Sequence, residues 1–193
     1  GHFTSWDFKN NKRVVTRYDF KDEKIIKQWA YDKNNRNSII NSGVEEIHYD
    51  TRGILWIGYQ NNTLTANLKG SDLFINYNTD LSKFNGKDPS LAQFIKKVCS
   101  FIQGYTHKII FEDSEGIIWI GSYSGILFKI DIDNSKIDTY NHDSEDSTST
   151  PSGAIVTISE DSRNNLWLGT WPTGMCRFDK TTGKSKRYYE KEG

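Results

Sequence analysis

The chain has 193 residues with 25 basic and 25 acidic side chains, giving a net charge of zero and a pI of about 7.1. No basic stripe is present to attract nucleic acid or anionic lipid. Mean hydropathy is −0.70 and no apolar run approaches membrane-spanning length, so neither partner nor bilayer insertion is expected of this segment.

Gly1-His2 at the start reads as a cloning remnant, and no signal peptide follows it. Residues 14–19 and 25–29 are the first two strand-like runs; Trp6-Asp7 precedes them without a turn or glycines around it. Residues 33–42 are rich in Asn and Ser, which suits a solvated loop whose side chains compete with the backbone for hydrogen bonds.

A repeated stretch then begins. Asp50-Thr51-Arg52-Gly53-Ile54-Leu55-Trp56-Ile57-Gly58 returns as Asp113-Ser114-Glu115-Gly116-Ile117-Ile118-Trp119-Ile120-Gly121, and again as Asp161-Ser162-Arg163-Asn164-Asn165-Leu166-Trp167-Leu168-Gly169. Each copy reads as a tight turn and a short buried strand. Asp bonds the turn backbone, Gly or Asn supplies positive φ, and the aliphatic and aromatic run behind it is too short for a helix. An apolar run precedes each copy, at 44–49, 108–112 and 154–160. Twelve residues after each Trp stands Leu68, Asp131 or Asp179, and a Tyr follows in turn: Tyr77, Tyr140 and Tyr188. Each unit therefore holds four short strands, here called a to d.

Self-similarity of this kind marks an array, and four strands per unit mark propeller blades. The interval from Trp119 to Trp167 is close to the roughly 40–50 residues of one blade. The interval from Trp56 to Trp119 is longer and requires an insertion, placed at residues 79–105. There Leu91, Phe94, Ile95, Val98, Phe101 and Ile102 form one apolar stripe at helical spacing, with Asp88 to cap it, Pro89 in the first turn and Gly104 to end it. Such a helix is expected to cover an exposed blade edge, with a partner-binding helix as the alternative.

The units resemble the two-component regulator propeller repeat. The third copy carries the resemblance most fully, in Trp167-Leu168-Gly169-Thr170, Gly174-Met175, Phe178-Asp179 and Tyr188. The second follows with Gly125-Ile126, Ile130-Asp131 and Tyr140; the first departs in strand c, at Thr63-Leu64 and Leu68-Lys69. The fold expected is all-β, a β-propeller fragment with a partial blade at 3–31, blades at 44–78, 107–141 and 154–190, and the helical insertion. Three and a half blades fall short of the usual minimum of about four in a closed ring. The remaining blades of a longer protein, or self-association of this one, are the partners that this count implies.

The resemblance implies an extracytoplasmic, periplasmic sensor of a hybrid two-component histidine kinase that detects oligosaccharides and controls polysaccharide-utilisation genes. Kinase and DNA-binding parts are expected outside this chain, and no catalysis within it. A protein-interaction scaffold and a carbohydrate-active hydrolase or lyase are the alternatives.

Trp56, Trp119 and Trp167 are expected in the core, where blades pack on one another. Tyr59, Gln60 and Asn61, with Tyr123 and Trp171, fall in the b–c loops just after the motif glycines. Rings beside amides and hydroxyls suit a sugar, the ring stacking on a pyranose face and the amides bonding hydroxyls. Capping of the blade edges is the alternative role. In a propeller with strand a innermost, the b–c and d–a loops share a rim and the Asp-x-x-Gly turns lie at the other end, so the insertion falls on the rim side. Cys99 and Cys176 lack disulfide or metal spacing, the four histidines lack ligand spacing, and no cofactor or metal is expected. Paired carboxylates placed for glycoside hydrolysis are not evident, since Asp143, Glu145 and Asp146 sit in a polar loop.

Overall fold

The computed structural model describes residues 2–7, 12–40, 43–84, 86–105 and 107–188, with backbone alone at 2–7, 12, 13, 107 and 108. The ends of the joint at 41–42 and of blade three at 189–190 lie outside the described residues. Internal contacts divide the chain into two units, Gly1–Gly104 and Tyr105–Gly193.

The first unit holds two antiparallel sheets. One has the order β1-β2-β3: β1 (His2–Asp7), β2 (Lys12–Asp19) and β3 (Lys24–Ala30). It supplies strands b, c and d of the partial blade, with the stretch containing Trp6-Asp7 in the place of b. The other has the order β4-β5-β6-β7: β4 (Val44–Tyr49), β5 (Leu55–Tyr59), β6 (Leu64–Asn67) and β7 (Phe74–Ile75). The second unit holds β8 (His107–Glu112), β9 (Ile118–Ser122), β10 (Leu127–Asp131) and β11 (Lys136–Tyr140) in one meander. Its other sheet is β12 (Ala154–Glu160), β13 (Leu166–Trp171), β14 (Gly174–Phe178) and β15 (Ser185–Tyr188).

The repeated turns owe their shape to the aspartate. In the first copy Gly53 N–H donates to Asp50 O at 3.0 Å and Asp50 N–H to Ile54 O at 3.0 Å, with Gly53 at φ +84°. Gly116 at +77° and Asn164 at +62° do the same work in the other copies, and Asn is among the few residues with a Cβ that tolerate that region. The Asp50 Oδ1 then accepts from Ile54 N–H at 2.7 Å, and its Oδ2 from Trp56 Nε1 at 2.9 Å. The indole bond recurs from Trp119 to Asp113 at 2.8 Å and from Trp167 to Asp161 at 3.0 Å. Turn former and core tryptophan are thus one device.

A bulge follows in every strand a. Register slips between Val44 and Glu46, His107 and Ile109, and Ile155 and Thr157, each next to the motif glycine on strand b. At Gly121 the sheets come so close that an added Cβ would lie 2.6 Å from Ile155 Cγ2 and 2.8 Å from Ile109 Cγ2.

Opposed residues on neighbouring strands share a face. In the second unit Trp119, Leu127, Ile109, Phe111 and Tyr140 lie on one face of β8–β11 and pack on Ile155, Leu166, Leu168, Cys176 and Phe178 of the next sheet. Edge-to-face contacts from Phe178 to Trp119 at 5.7 Å and to Tyr140 at 4.8 Å join the two. In the first unit Val15 and Trp29 pack on Leu55, Ile57, Tyr59 and Phe74. Trp56 and Trp119 are fully buried, while Trp167 is half-buried against Tyr188 at 5.3 Å. Both cysteines are free and fully buried.

The two d–a connections without the insertion are built alike. In the first, Asp32 N–H donates to Ser38 Oγ at 3.0 Å and Asn34 N–H to Asp32 Oδ1 at 2.9 Å; in the second, Asp143 N–H donates to Ser149 Oγ and Glu145 N–H to Asp143 Oδ1, both at 2.9 Å. Each loop then runs along the outer strand of the following sheet. Phe74 N–H donates to Asn37 O at 2.8 Å, and Ser185 N–H to Thr148 O at 2.6 Å. Arg187 on β15 adds bonds from Nη2 to Ser149 Oγ at 2.9 Å and Ser149 O at 3.2 Å. The loop thereby satisfies part of an edge strand that would otherwise offer itself for pairing.

The insertion forms α1 (Pro89–Ile102), capped by Asp88 Oδ1, which accepts from Leu91 N–H at 2.9 Å. It packs on β6 and β7 of its own unit. Its buried face is Ala92, Phe94, Ile95, Val98, Cys99 and Ile102. Phe101 is 50% exposed and Leu91 partly so, which corrects the apolar stripe. The short side chains at 92 and 99 lie on the contact line and let the helix approach the sheet, turning Phe101 outward. The tyrosine expected in strand d of the first repeat is also displaced. Tyr77 lies beyond β7 and is 41% exposed, because Phe74 and Ile75 take the strand positions.

Candidate ligand-binding rim

The b–c turns of the three repeats have equal length, since Gly58 pairs with Leu64, Gly121 with Leu127 and Gly169 with Met175. That register makes Gln60, Tyr123 and Trp171 equivalent; Gln60 and Tyr123 open their turns, whereas Trp171 is the last residue of β13 and pairs with Ala154, which corrects its assignment to the loop. Tyr59 stands one residue earlier, with Ser122 and Thr170. It is the last residue of β5 and fully buried, and its hydroxyl accepts from Ile40 N–H at 3.4 Å. Burial pushes its hydroxyl up to about 12, more than its hydrogen bonds to Thr65 and Ile40 bring it down. Tyr59 is therefore a core residue of its unit, which corrects its assignment to an exposed loop surface. Gln60 and Asn61 are exposed at the tip.

In the second unit Tyr123 is 54% and Trp171 64% exposed. Their turns are stiffened from within. Ile126 N–H donates to Ser122 Oγ at 2.9 Å, Ser122 and Ser124 hydroxyls meet at 3.0 Å, and Thr170 Oγ1 donates to Gly174 O at 2.8 Å. The end of the d–a loop lies between the two turns. A Cβ on Gly125 would come within 2.7 Å of Gly153 O, and one on Gly153 within 2.5 Å of Trp171 O. Thr173 Oγ1 donates to Ser152 O. Tyr123 and Trp171 thus stand at adjacent turns bridged by Gly153, and only glycine there permits the approach. Behind Trp171 opens a cavity of about 540 Å³ lined by Val156, Thr170, Met175 and Tyr188 among others.

In the first unit the insertion ends beside the corresponding turn, where Gly104 N–H donates to Asn62 O at 3.1 Å. The rim side that strand order assigns to the insertion is where it lies.

The Asp-x-x-Gly end carries a charge cluster that sequence reading did not find. Lys180 Nζ lies 2.9 Å from Asp113 Oδ2, 2.6 Å from Glu160 Oε1 and 3.7 Å from Glu115 Oε2, with side-chain exposures of 7% for the lysine and 0% for Asp113. Burial raises the Asp113 carboxyl, but bonds from Trp119, Lys180 and Ile117 N–H and the lysine charge outweigh it, and the net direction is down. Glu160 is likewise lowered, by Lys180 and Ser114 against burial. Lys180 is raised by both carboxylates against burial. The only available signal was Lys180 following the Phe178-Asp179 pair; its partners lie far apart in sequence. Among the described residues no group of three or more His, Cys, Asp or Glu side chains is placed to hold a metal, and no helix is long and apolar enough to cross a membrane.

Residues 100–124 and 149–171 match the two component regulator propeller family, covering the second and third motif copies. No curated protein matches the sequence. Among solved structures, the extracellular domain of BT4673 from B. thetaiotaomicron, named there as a hybrid two component system, aligns over 94% of this chain and 21% of its own at 15% identity and TM-score 0.60. YCF48 from Cyanidioschyzon merolae aligns over 92% of this chain and 50% of its own at 15% identity and TM-score 0.53. At such identities the likeness establishes fold, that of an all-β propeller fragment, and this chain spans about a fifth of the BT4673 domain.

Proposed function

We propose that this chain, which carries two-component regulator propeller repeats, is a ligand-sensing segment of an extracytoplasmic propeller, binding oligosaccharide at the b–c rim. One observation carries the reading: two exposed aromatic rings, Tyr123 and Trp171, stand at adjacent hydroxyl-rich turns bridged by Gly153. Stacking of a pyranose on an indole, with hydroxyl bonds beside it, is how neutral sugars are held. Ser124 and Thr173 supply such hydroxyls, and Gln60 and Asn61 present amides on the corresponding turn of the first unit. The segment binds without turnover, and the periplasm is its compartment. A histidine kinase elsewhere in the full-length protein would convert binding into control of polysaccharide-utilisation genes.

A panel of neutral oligosaccharides titrated against the chain tests this. A sugar that binds, that remains unhydrolysed on long incubation, and that loses about tenfold or more affinity in Trp171→Ala supports the reading. Cleavage of the bound sugar would make the segment an enzyme. Labelling confined to the Asp-x-x-Gly end would place the site at the wrong end of the sheets.

A further inference from the structure

The outer strands of the three repeats differ in what covers them. The connection before β4–β7 bonds to Phe74 N–H of β7, and the connection before β12–β15 bonds to Ser185 N–H of β15. Register makes Ile137 of β11 their counterpart, since Asn67 pairs with Phe74, Ile130 with Ile137 and Phe178 with Ser185. The connection before β8–β11 is the insertion instead, and its helix α1 packs on β6 and β7 of its own unit. Among the described residues no backbone group bonds to Ile137 from outside the sheet.

The ladder fixes which groups β11 turns outward. Ser122 N–H donates to Ile126 O at 3.0 Å, and bonded and non-bonded pairs alternate along antiparallel strands. Ile120–Phe128 and Ile118–Ile130 are then bonded pairs, so Phe128 and Ile130 spend their N–H and C=O groups on β9. Their partners on β11, Thr139 and Ile137, point theirs away from the sheet. Such an edge is a template for a further strand. Neither proline nor a bulge blunts it, for the pairing with β10 runs unbroken from Tyr140 to Lys136. Its one lysine, Lys136, is engaged by Asp138 of the same strand at 2.9 Å.

The charges select the strand that fits. A second copy lying antiparallel, with the two-fold axis at Ile137, sets the outward groups of Ile137 against their own equivalents. It also places Lys136 opposite the partner's Asp138, and Asp138 opposite the partner's Lys136, a favourable cross-strand arrangement. An axis at Lys136 or Asp138 would oppose like charges, and one at Thr139 would set Asp138 against Tyr140 with no ion pair.

We propose that the outer edge of β11 docks β11 of a second copy, antiparallel and centred on Ile137, joining the two four-stranded sheets edge to edge. The surface is separate from the b–c rim and stands or falls independently of it.

The test follows mass by light scattering up to about 1 mM, the range of weak association. Met175→Glu is present throughout, to charge the exposed face of β12–β15 and leave the β11 edge as the contact measured. The chain is then expected to dimerise. Lys136→Asp and Asp138→Lys are each expected to weaken dimerisation about tenfold, since each opposes like charges across the axis. An equimolar mixture of the two is expected to regain it, because the mixed pair again sets opposite charges across from one another. The bridge within each strand stays broken in the mixture, so its recovery reports pairing between copies. Ile137→Pro, which removes an N–H that points out of the ladder, is expected to abolish that recovery when added to either partner. Melting curves of all variants separate lost pairing from lost fold. A parent that stays monomeric, a mixture no more associated than its components, or a recovery that survives Ile137→Pro overturns the proposal.

Discussion

The indole of Trp119 donates from Nε1 to Oδ2 of Asp113 at 2.8 Å, and the same oxygen receives the Lys180 ammonium at 2.9 Å. One carboxylate thus fixes a turn, orients a core ring and ties that turn to the next sheet. Removing it leaves a buried indole N–H without its acceptor and a buried ammonium with Glu160 as its one close carboxylate. Asp113→Ala is expected to destabilise the chain by about 3–5 kcal/mol, the range found when one partner of a buried pair is lost. Asp161→Ala breaks the same indole bond without a lysine attached and at a more exposed site, so its loss should be clearly smaller. Urea unfolding of the two variants checks the order; equal losses would mean that Lys180 contributes nothing.

Rings in equivalent repeats should separate by burial. Trp119 is fully buried and Trp171 is 64% exposed. Trp119→Ala is expected to cost about 3–5 kcal/mol and Trp171→Ala within about 0.5 kcal/mol. Comparable shifts in denaturant midpoint would contradict the core and rim roles.

The charge cluster predicts an acid limb of stability. Asp113 and Glu160 are held below their ordinary values, so the stability that they contribute is present above the unfolded carboxyl range near 4 and is lost as pH falls through their lowered folded values. Lys180 is raised, so its contribution persists below its ordinary value near 10.4 and fades as pH climbs through the raised one. The melting temperature should therefore hold across neutral pH and fall below about pH 4. Lys180→Met should flatten that acid fall. An unchanged acid profile in the variant would remove the cluster from the account.

Much of this was legible because the repeat states each element more than once. The Asp-x-x-Gly turns, the strand order and the substitution of Asn164 for glycine follow from backbone conformations that few residues tolerate. Tyr59 was misplaced because spacing counted from the glycine does not say which face a residue takes; the cross-strand pairing of Gly58 with Leu64 does. The bulges opposite the glycines have no residue signature, and the Lys180 cluster joins positions 20 and 67 residues apart. The shared Asp-to-Ser pattern of the two d–a loops was present in the sequence, and reading those loops as merely solvated missed their bonding to the outer strands.

Self-association is the last expectation, and the second unit gives it a surface. The face of β8–β11 bearing Trp119, Leu127 and Tyr140 is covered by β12–β15. The same face of β12–β15 bears their counterparts Trp167, Met175 and Tyr188, with Val156 46% and Met175 47% exposed. An apolar face of this kind in water favours association. The face that covers β8–β11, with Leu166, Leu168 and Phe178, is already buried within each chain, so a second copy would meet this surface with the same exposed face, bearing Val156 and Met175. The chain is expected to show concentration-dependent mass in light scattering, and Met175→Glu to shift it toward monomer by placing a charge at the centre of the contact. The substitution is exposed and should leave the melting temperature of dilute protein unchanged. A monomer at all concentrations, or association indifferent to Met175→Glu, would rule this face out.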